Sequence, residues 1–173
     1  MVKKKHIYHL QAKPGETGKY VFLSGDPGRI PLISKHFKNA REIPSNRGLT
    51  FHSGFLEGVG VAAVSTGIGG PSTAIVVEEL IMLGAHTFLR LGTCGSLQKY
   101  VNVKDIVISS ASIRDEGTSQ QYVPIIYPAV AHFELITHLV ASSQEANASY
   151  HVGITHCKDA FFRKYQTSRL IHL

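Results

Sequence analysis

The chain has 173 residues, 43% hydrophobic and 17% charged, with a formal charge of +6 and no tryptophan. Folding at this length hides roughly 70% of the surface that the unfolded chain exposes, so a core needs neither disulfides nor a structural metal, and disorder is excluded. Purely apolar runs such as Ala74 to Val77 and Ile125 to Tyr127 fall far short of the ~20 residues that span a bilayer, which predicts a chain with no membrane partner.

The basic residues are scattered apart from Lys3 to Lys5 at the terminus, the pattern of a solvated tail and not of a nucleic-acid footprint. No apolar stretch or small-residue cleavage site follows Met1 to His9, so a cytoplasmic protein is expected. Cys94 and Cys157 stand in apolar or strand-like surroundings and are expected to be buried free thiols in a reducing compartment.

In chain order, Lys19 to Ser24 predicts a strand that ends at Gly25, and Pro27 to Phe37 carries Ile30, Ile33 and Phe37 at helical spacing. Thr50 to Leu56 and Val59 to Ser65 predict a β-hairpin turning at Glu57-Gly58. Gly67, Gly69 and Gly70 then lead through Pro71 into a helix ending near Leu83, with Gly84 as the stop. His86 to Leu91 and Asp105 to Ser112 predict strands, Val130 to Ala146 an amphipathic helix, and His151 to Thr155 a last strand. Six strands alternating with three helices predict a layered α/β fold with a mixed or largely parallel sheet, whose ligands gather beyond the strand C-termini. With no repeat or linker visible, 1–173 reads as one domain, and Gln166 to Leu173 carries no stop signal, as though the fold were unfinished there.

Three glycine-containing turns could carry chemistry. In Gly25-Asp26-Pro27-Gly28-Arg29, Asp26 suits an N-cap and Pro27 the first helical position; the segment is either an ordinary capped turn with an exposed arginine or an anion cradle. In Ser65-Thr66-Gly67-Ile68-Gly69-Gly70-Pro71-Ser72 the glycines let a ligand approach the backbone, but Ser72 stands where a dinucleotide fingerprint needs glycine. In Arg90-Leu91-Gly92-Thr93-Cys94-Gly95 an arginine inside an apolar strand needs a partner, which either Glu78, Glu79 or a bound anion would supply. Arg47, on a loop between Asn46 and Gly48, says little by itself. No G-x-S-x-G elbow, HExxH, paired Cys-x-x-Cys or P-loop lysine motif occurs, and the ten histidines show no convergent spacing.

Taken together, GDPGR, Ser45-Asn46-Arg47, STGIGGPS, Val77-Glu78-Glu79-Leu80, FLRLGTCG, Pro128-Ala129-Val130-Ala131, Val152-Gly153-Ile154-Thr155 and Asp159-Ala160-Phe161 resemble the nucleoside phosphorylase family, its uridine branch above all. The resemblance implies a three-layer α/β/α fold with a mixed central sheet. It implies reversible phosphorolysis: phosphate, the co-substrate, attacks C1′ of uridine to give uracil and ribose 1-phosphate, with a purine nucleoside phosphorylase or a non-catalytic binding or assembly remnant as alternatives. By resemblance, Gly25, Arg29, Arg47, Arg90 and Thr93 would bind phosphate, Arg90 and Thr93 acting in catalysis, and His9 would reach the ribose. Arg47 and His9 would come from a neighbouring subunit of a homodimer or a hexamer built as a trimer of dimers. Cys94, Gly95 and Phe161 would line the base pocket, with Gln166 and Arg169 as candidates to read the base. No organic cofactor is implied. Relatives that hold a monovalent cation carry Glu just after the loop arginine, where this chain has Gly48, although Ile68 and Ser72 remain as candidate ligands. Relatives also continue well beyond this chain through a ribose-binding Glu-Met-Glu segment, so the C-terminal part of the fold is expected to be missing and turnover to be weak.

Overall fold

A computed structural model describes residues 7–160 and 162. It contains two compact units, Met1–Gly95 and Ser96–Leu173. The first holds β1 (Tyr20–Ser24), a 3-10 turn (Pro27–Arg29), α1 (Ile30–Ser34), β2 (Lys38–Ile43), β3 (Phe51–Leu56), β4 (Val59–Ser65), α2 (Gly70–Met82) and β5 (Thr87–Arg90).

These strands form one mixed sheet in the order β2-β3-β4-β1-β5. β1 runs parallel to both β4 and β5, whereas β2, β3 and β4 form an antiparallel meander. The tight connection from β3 to β4 works because Glu57 and Gly58 both adopt positive φ, 46° and 79°, the geometry whose twist matches that of flanking strands.

Alternation along β4 sorts the core into two faces. Val61 and Ala63 pack with Ile30 of α1 and with Phe37, while Ala62 and Val64 pack with Val21, Leu23 and the α2 residues Val76 and Leu80. Helices therefore cover both sides of the sheet, giving this unit three layers. Pro71 in the first turn and Gly84 (φ 102°) just past the end set the limits of α2.

Two expectations need correction here. The helix expected over Pro27 to Phe37 is a 3-10 turn followed by only five α-helical residues, because the apolar spacing that suggested it fits either helix type. The strand β2 was not foreseen, because five of its six residues are exposed and show no apolar alternation. Charged residues on such an edge strand discourage further pairing.

The second unit contains β6 (Ile106–Asp115), a 3-10 turn (Ser119–Gln121), α3 (Phe133–Glu145) and β7 (Tyr150–Lys158). β6 and β7 pair in parallel from Ile106↔Tyr150 to Asp115↔Lys158, with a register shift between Ser109 and Ala111. Both strands run further than their sequence patterns suggested. Val130, expected to open the helix, instead bridges to Ala111, and α3 begins after His132.

The mixed α/β class expected from the sequence is observed. The two cysteines, however, are exposed and not buried. Cys94 lies in the solvent-facing stretch after β5, and Cys157 points outward from β7. Among the described residues no helix is long and apolar enough to cross a membrane.

Candidate functional site

The parallel part of the first sheet decides where a ligand can sit. β4, β1 and β5 are neighbours running the same way, with Ser24 level with Ser65 and Leu23 level with Arg90. Their C-termini thus lie side by side, and the loops 25–29, 66–70 and 91–95 leave from one edge of the sheet. Backbone bonds continue past the strand ends: Thr66 N donates to Ser24 O at 2.7 Å and Leu91 N to Leu23 O at 2.7 Å.

Arg90 closes this edge. A Cβ placed on Gly25 would stand 3.3 Å from Arg90 Nη2 and 3.4 Å from Gly67 O, and one on Gly92 would stand 2.9 Å from Arg90 Nη1. The guanidinium is therefore bedded on bare backbone from two loops. No carboxylate forms an ion pair with Arg90 among the described residues. Of the two acidic partners weighed from sequence, Glu79 is committed elsewhere, to residues 8–10.

Arg29 ends the turn that Gly25 begins. Asp26 caps that turn by accepting from Gly28 N at 2.8 Å and stands 3.8 Å from Arg29 Nε. Both side chains are substantially exposed, so this pair is screened and leaves Arg29 able to turn to a stronger anion. The following helix is too short to add an appreciable dipole. Thr93, Cys94 and Gly95 occupy the exposed loop after β5, at the same sheet edge.

His9 and Arg47 meet in a different place. They line a cavity of about 310 Å³ with Leu49, Ser72, Ile75 and Val76. The glycine loop borders both regions, since a Cβ on Gly67 would lie 3.0 Å from Ser72 Oγ. Arg47 adopts φ 61°, and its neighbour Asn46 is tied to the N-terminal segment by Asn46 N donating to His9 O at 2.7 Å and Nδ2 to Tyr8 O at 3.0 Å.

Two residues weighed as cation ligands, Ile68 and Ser72, stand in the glycine loop and in the first turn of α2. Ile68 projects into solvent, Ser72 Oγ gives its proton to Thr66 O, and Gly48 supplies no carboxylate. Phe161, Gln166 and Arg169 lie outside the described residues.

The sequence reading weighed Glu79 only as a partner for Arg90 and missed what it does hold. Glu79, on the buried side of α2 and only 7% exposed, accepts hydrogen bonds from the backbone N–H groups of Tyr8, His9 and Leu10 and from His9 Nδ1. Burial pushes its carboxyl pKa up, but the hydrogen bonds from His9 and Leu10 outweigh that and hold it below the ordinary 4.5. The available signal was an acidic residue at the buried helical spacing of Val76, Leu80 and Leu83.

A family profile described as the Phosphorylase superfamily matches residues 19–172. The chain is 46% identical over 155 residues to a uridine phosphorylase of Thermococcus kodakarensis, covering 90% of this chain and 56% of that protein. It is 39% identical over 161 residues to the uridine phosphorylase of Escherichia coli, covering 92% and 64%. A guanosine phosphorylase of Halorubrum lacusprofundi is 36% identical over 156 residues, covering 90% and 65%. The chain thus spans between 56% and 65% of the length of the curated relatives it matches.

Proposed function

The chain belongs to the phosphorylase superfamily, and we propose that it forms the phosphate- and nucleoside-handling part of a uridine phosphorylase. The observation that carries this reading is the bed of Gly25 and Gly92 under the Arg90 guanidinium, at an edge where three parallel strands end together. A guanidinium without a protein anion, backed by bare backbone, suits a tetrahedral oxyanion. The uridine phosphorylases among its relatives support uridine as the nucleoside.

In this reading Arg90, Arg29, Thr93 and the Gly25 backbone hold the phosphate. A phosphate oxygen attacks C1′ as the glycosidic bond breaks, and the bonding pair leaves with the base. Positive charge develops on the sugar between two anionic groups, so preorganised charge around the phosphate lowers the barrier. His9 would contact the ribose and Arg47 the phosphate of a neighbouring copy in a homodimer or hexamer, a division of labour supported by their shared cavity apart from Arg90. Cys94 and Gly95 would line the base pocket with Phe161, and Gln166 and Arg169 would read the base. The unbroken family match over 19–172 supports one phosphorylase domain spanning both units, and a cytoplasmic location fits its thiols.

Calorimetric titration tests the proposal. Inorganic phosphate should bind saturably, and Arg90→Ala should weaken it by about tenfold or more, the loss of one charge-assisted contact. Uridine should bind in preference to inosine or guanosine, and phosphate-dependent uracil release, followed by ultraviolet absorbance, should be slow. Preference for a purine nucleoside would move the chain to the branch represented by the guanosine phosphorylase, and phosphate binding indifferent to Arg90 would remove the proposed site.

A further inference from the structure

We propose that Glu79 is the positioning residue of His9: it holds the imidazole in the tautomer protonated at Nδ1, leaving Nε2 to accept a hydrogen bond from a ligand hydroxyl. The inference rests on the reading of His9 as a ribose contact.

Four donors converge on one carboxylate. Glu79 Oε1 accepts from Tyr8 N at 3.2 Å, His9 N at 3.0 Å and His9 Nδ1 at 2.8 Å, while Oε2 accepts from His9 N at 3.1 Å and Leu10 N at 2.9 Å. A buried carboxylate is tolerable only when bonded in this way. These same bonds favour its ionised form, which can only accept. Nδ1 must therefore carry a proton, and whenever the ring is neutral Nε2 is the bare nitrogen.

Position is fixed along with protonation. Leu10, fully buried, locks the segment into the α2-side core, so the amides cannot slide along Glu79. His9 O receives Asn46 N, and Arg47 follows directly. A continuous chain of bonds thus runs from α2 through His9 to the arginine loop, and both cavity-lining side chains depend on it. A neutral acceptor at Nε2 favours a hydroxyl donor over an anionic group, which offers the ring no proton.

Histidine-specific ¹⁵N labelling tests the idea at mildly alkaline pH, with His9→Asn assigning the signal. The wild-type spectrum should show His9 protonated at Nδ1; protonation at Nε2, or averaging between the two forms, would overturn the proposal. Glu79→Gln offers one acceptor oxygen to four donors, so it should release the tautomer preference and weaken uridine binding about tenfold. Glu79→Asp should restore part of both. A purely structural anchor would lower the melting temperature without any tautomer preference, so a folded Glu79→Gln chain with the wild-type tautomer and affinity also sinks the idea. Should that variant not fold, the wild-type spectrum decides. Absence of uridine binding by the wild-type chain would overturn the uridine reading, while the ring protonation still decides the role of Glu79.

Discussion

At the scale of single residues, the decisive feature is how little surrounds the Arg90 guanidinium. Its Nη1 faces Gly92 and its Nη2 faces Gly25, each at a separation that a side chain would invade. A methyl group at position 92 would stand 2.9 Å from Nη1. What yields is the end of a flexible side chain and not backbone, and Gly92 has no left-handed φ to strain. Gly92→Ala should therefore leave the melting temperature within about 2 °C of wild type while displacing the guanidinium and weakening phosphate binding about tenfold. Paired thermal melts and phosphate titrations separate the two effects. Unaltered phosphate affinity in a folded Gly92→Ala chain would mean that the placement of this guanidinium does not matter to the anion.

At the scale of elements, the entry to β1 is a tight joint in the sheet. Gly18 has φ +67°, and a Cβ there would fall 2.0 Å from Gly60 O, at the start of β4. Both strands carry residues of the two core faces, so neither can retreat. Gly18→Ala is expected to cost on the order of 3 kcal/mol or more, combining backbone strain with a clash that only a strand shift relieves. Gly15 makes the control: its φ is +90° with nothing within 4 Å of the added carbon, so Gly15→Ala should cost only the strain, about 1 kcal/mol. Urea unfolding of both variants checks the difference, and equal losses would contradict the steric account. The same elements explain what the sequence could reveal. The β3–β4 hairpin and α2 were legible because alternation, a turn needing positive φ and a Pro–Gly frame each leave a local mark. β2 left none, since an exposed edge needs no apolar face. The three loops of the candidate site were legible through their glycines. The grip of Glu79 was not, because its partners lie about 70 residues away in sequence and three of them are main-chain amides, which no side chain advertises.

For the molecule as a whole, acid resistance rests on carboxylates in both units whose hydrogen bonds favour the charged form. In the first unit Glu79 is held below 4.5. In the second, the backbone N–H of Asn102, then His151 and Ser149, bring Asp105 from 3.8 down to about 2, and the side-chain hydroxyl of Ser119 is the leading reason Glu116 lies below 4.5. A group with a lowered folded pKa stabilises fully above its unfolded value and ceases to do so as pH falls through the folded one. These three carboxylates therefore contribute no slope above about pH 4.5, and all of them erode stability below it, Asp105 across the interval from 3.8 to about 2. Urea unfolding at stepped pH should show that onset. Asp105→Asn should lower stability at neutral pH and flatten the curve within that interval, since the neutral amide has no charge to lose. An Asp105→Asn chain whose stability falls as steeply as wild type between 3.8 and 2 would show that the bonds from Asn102 and His151 are not what keeps the second unit folded in acid.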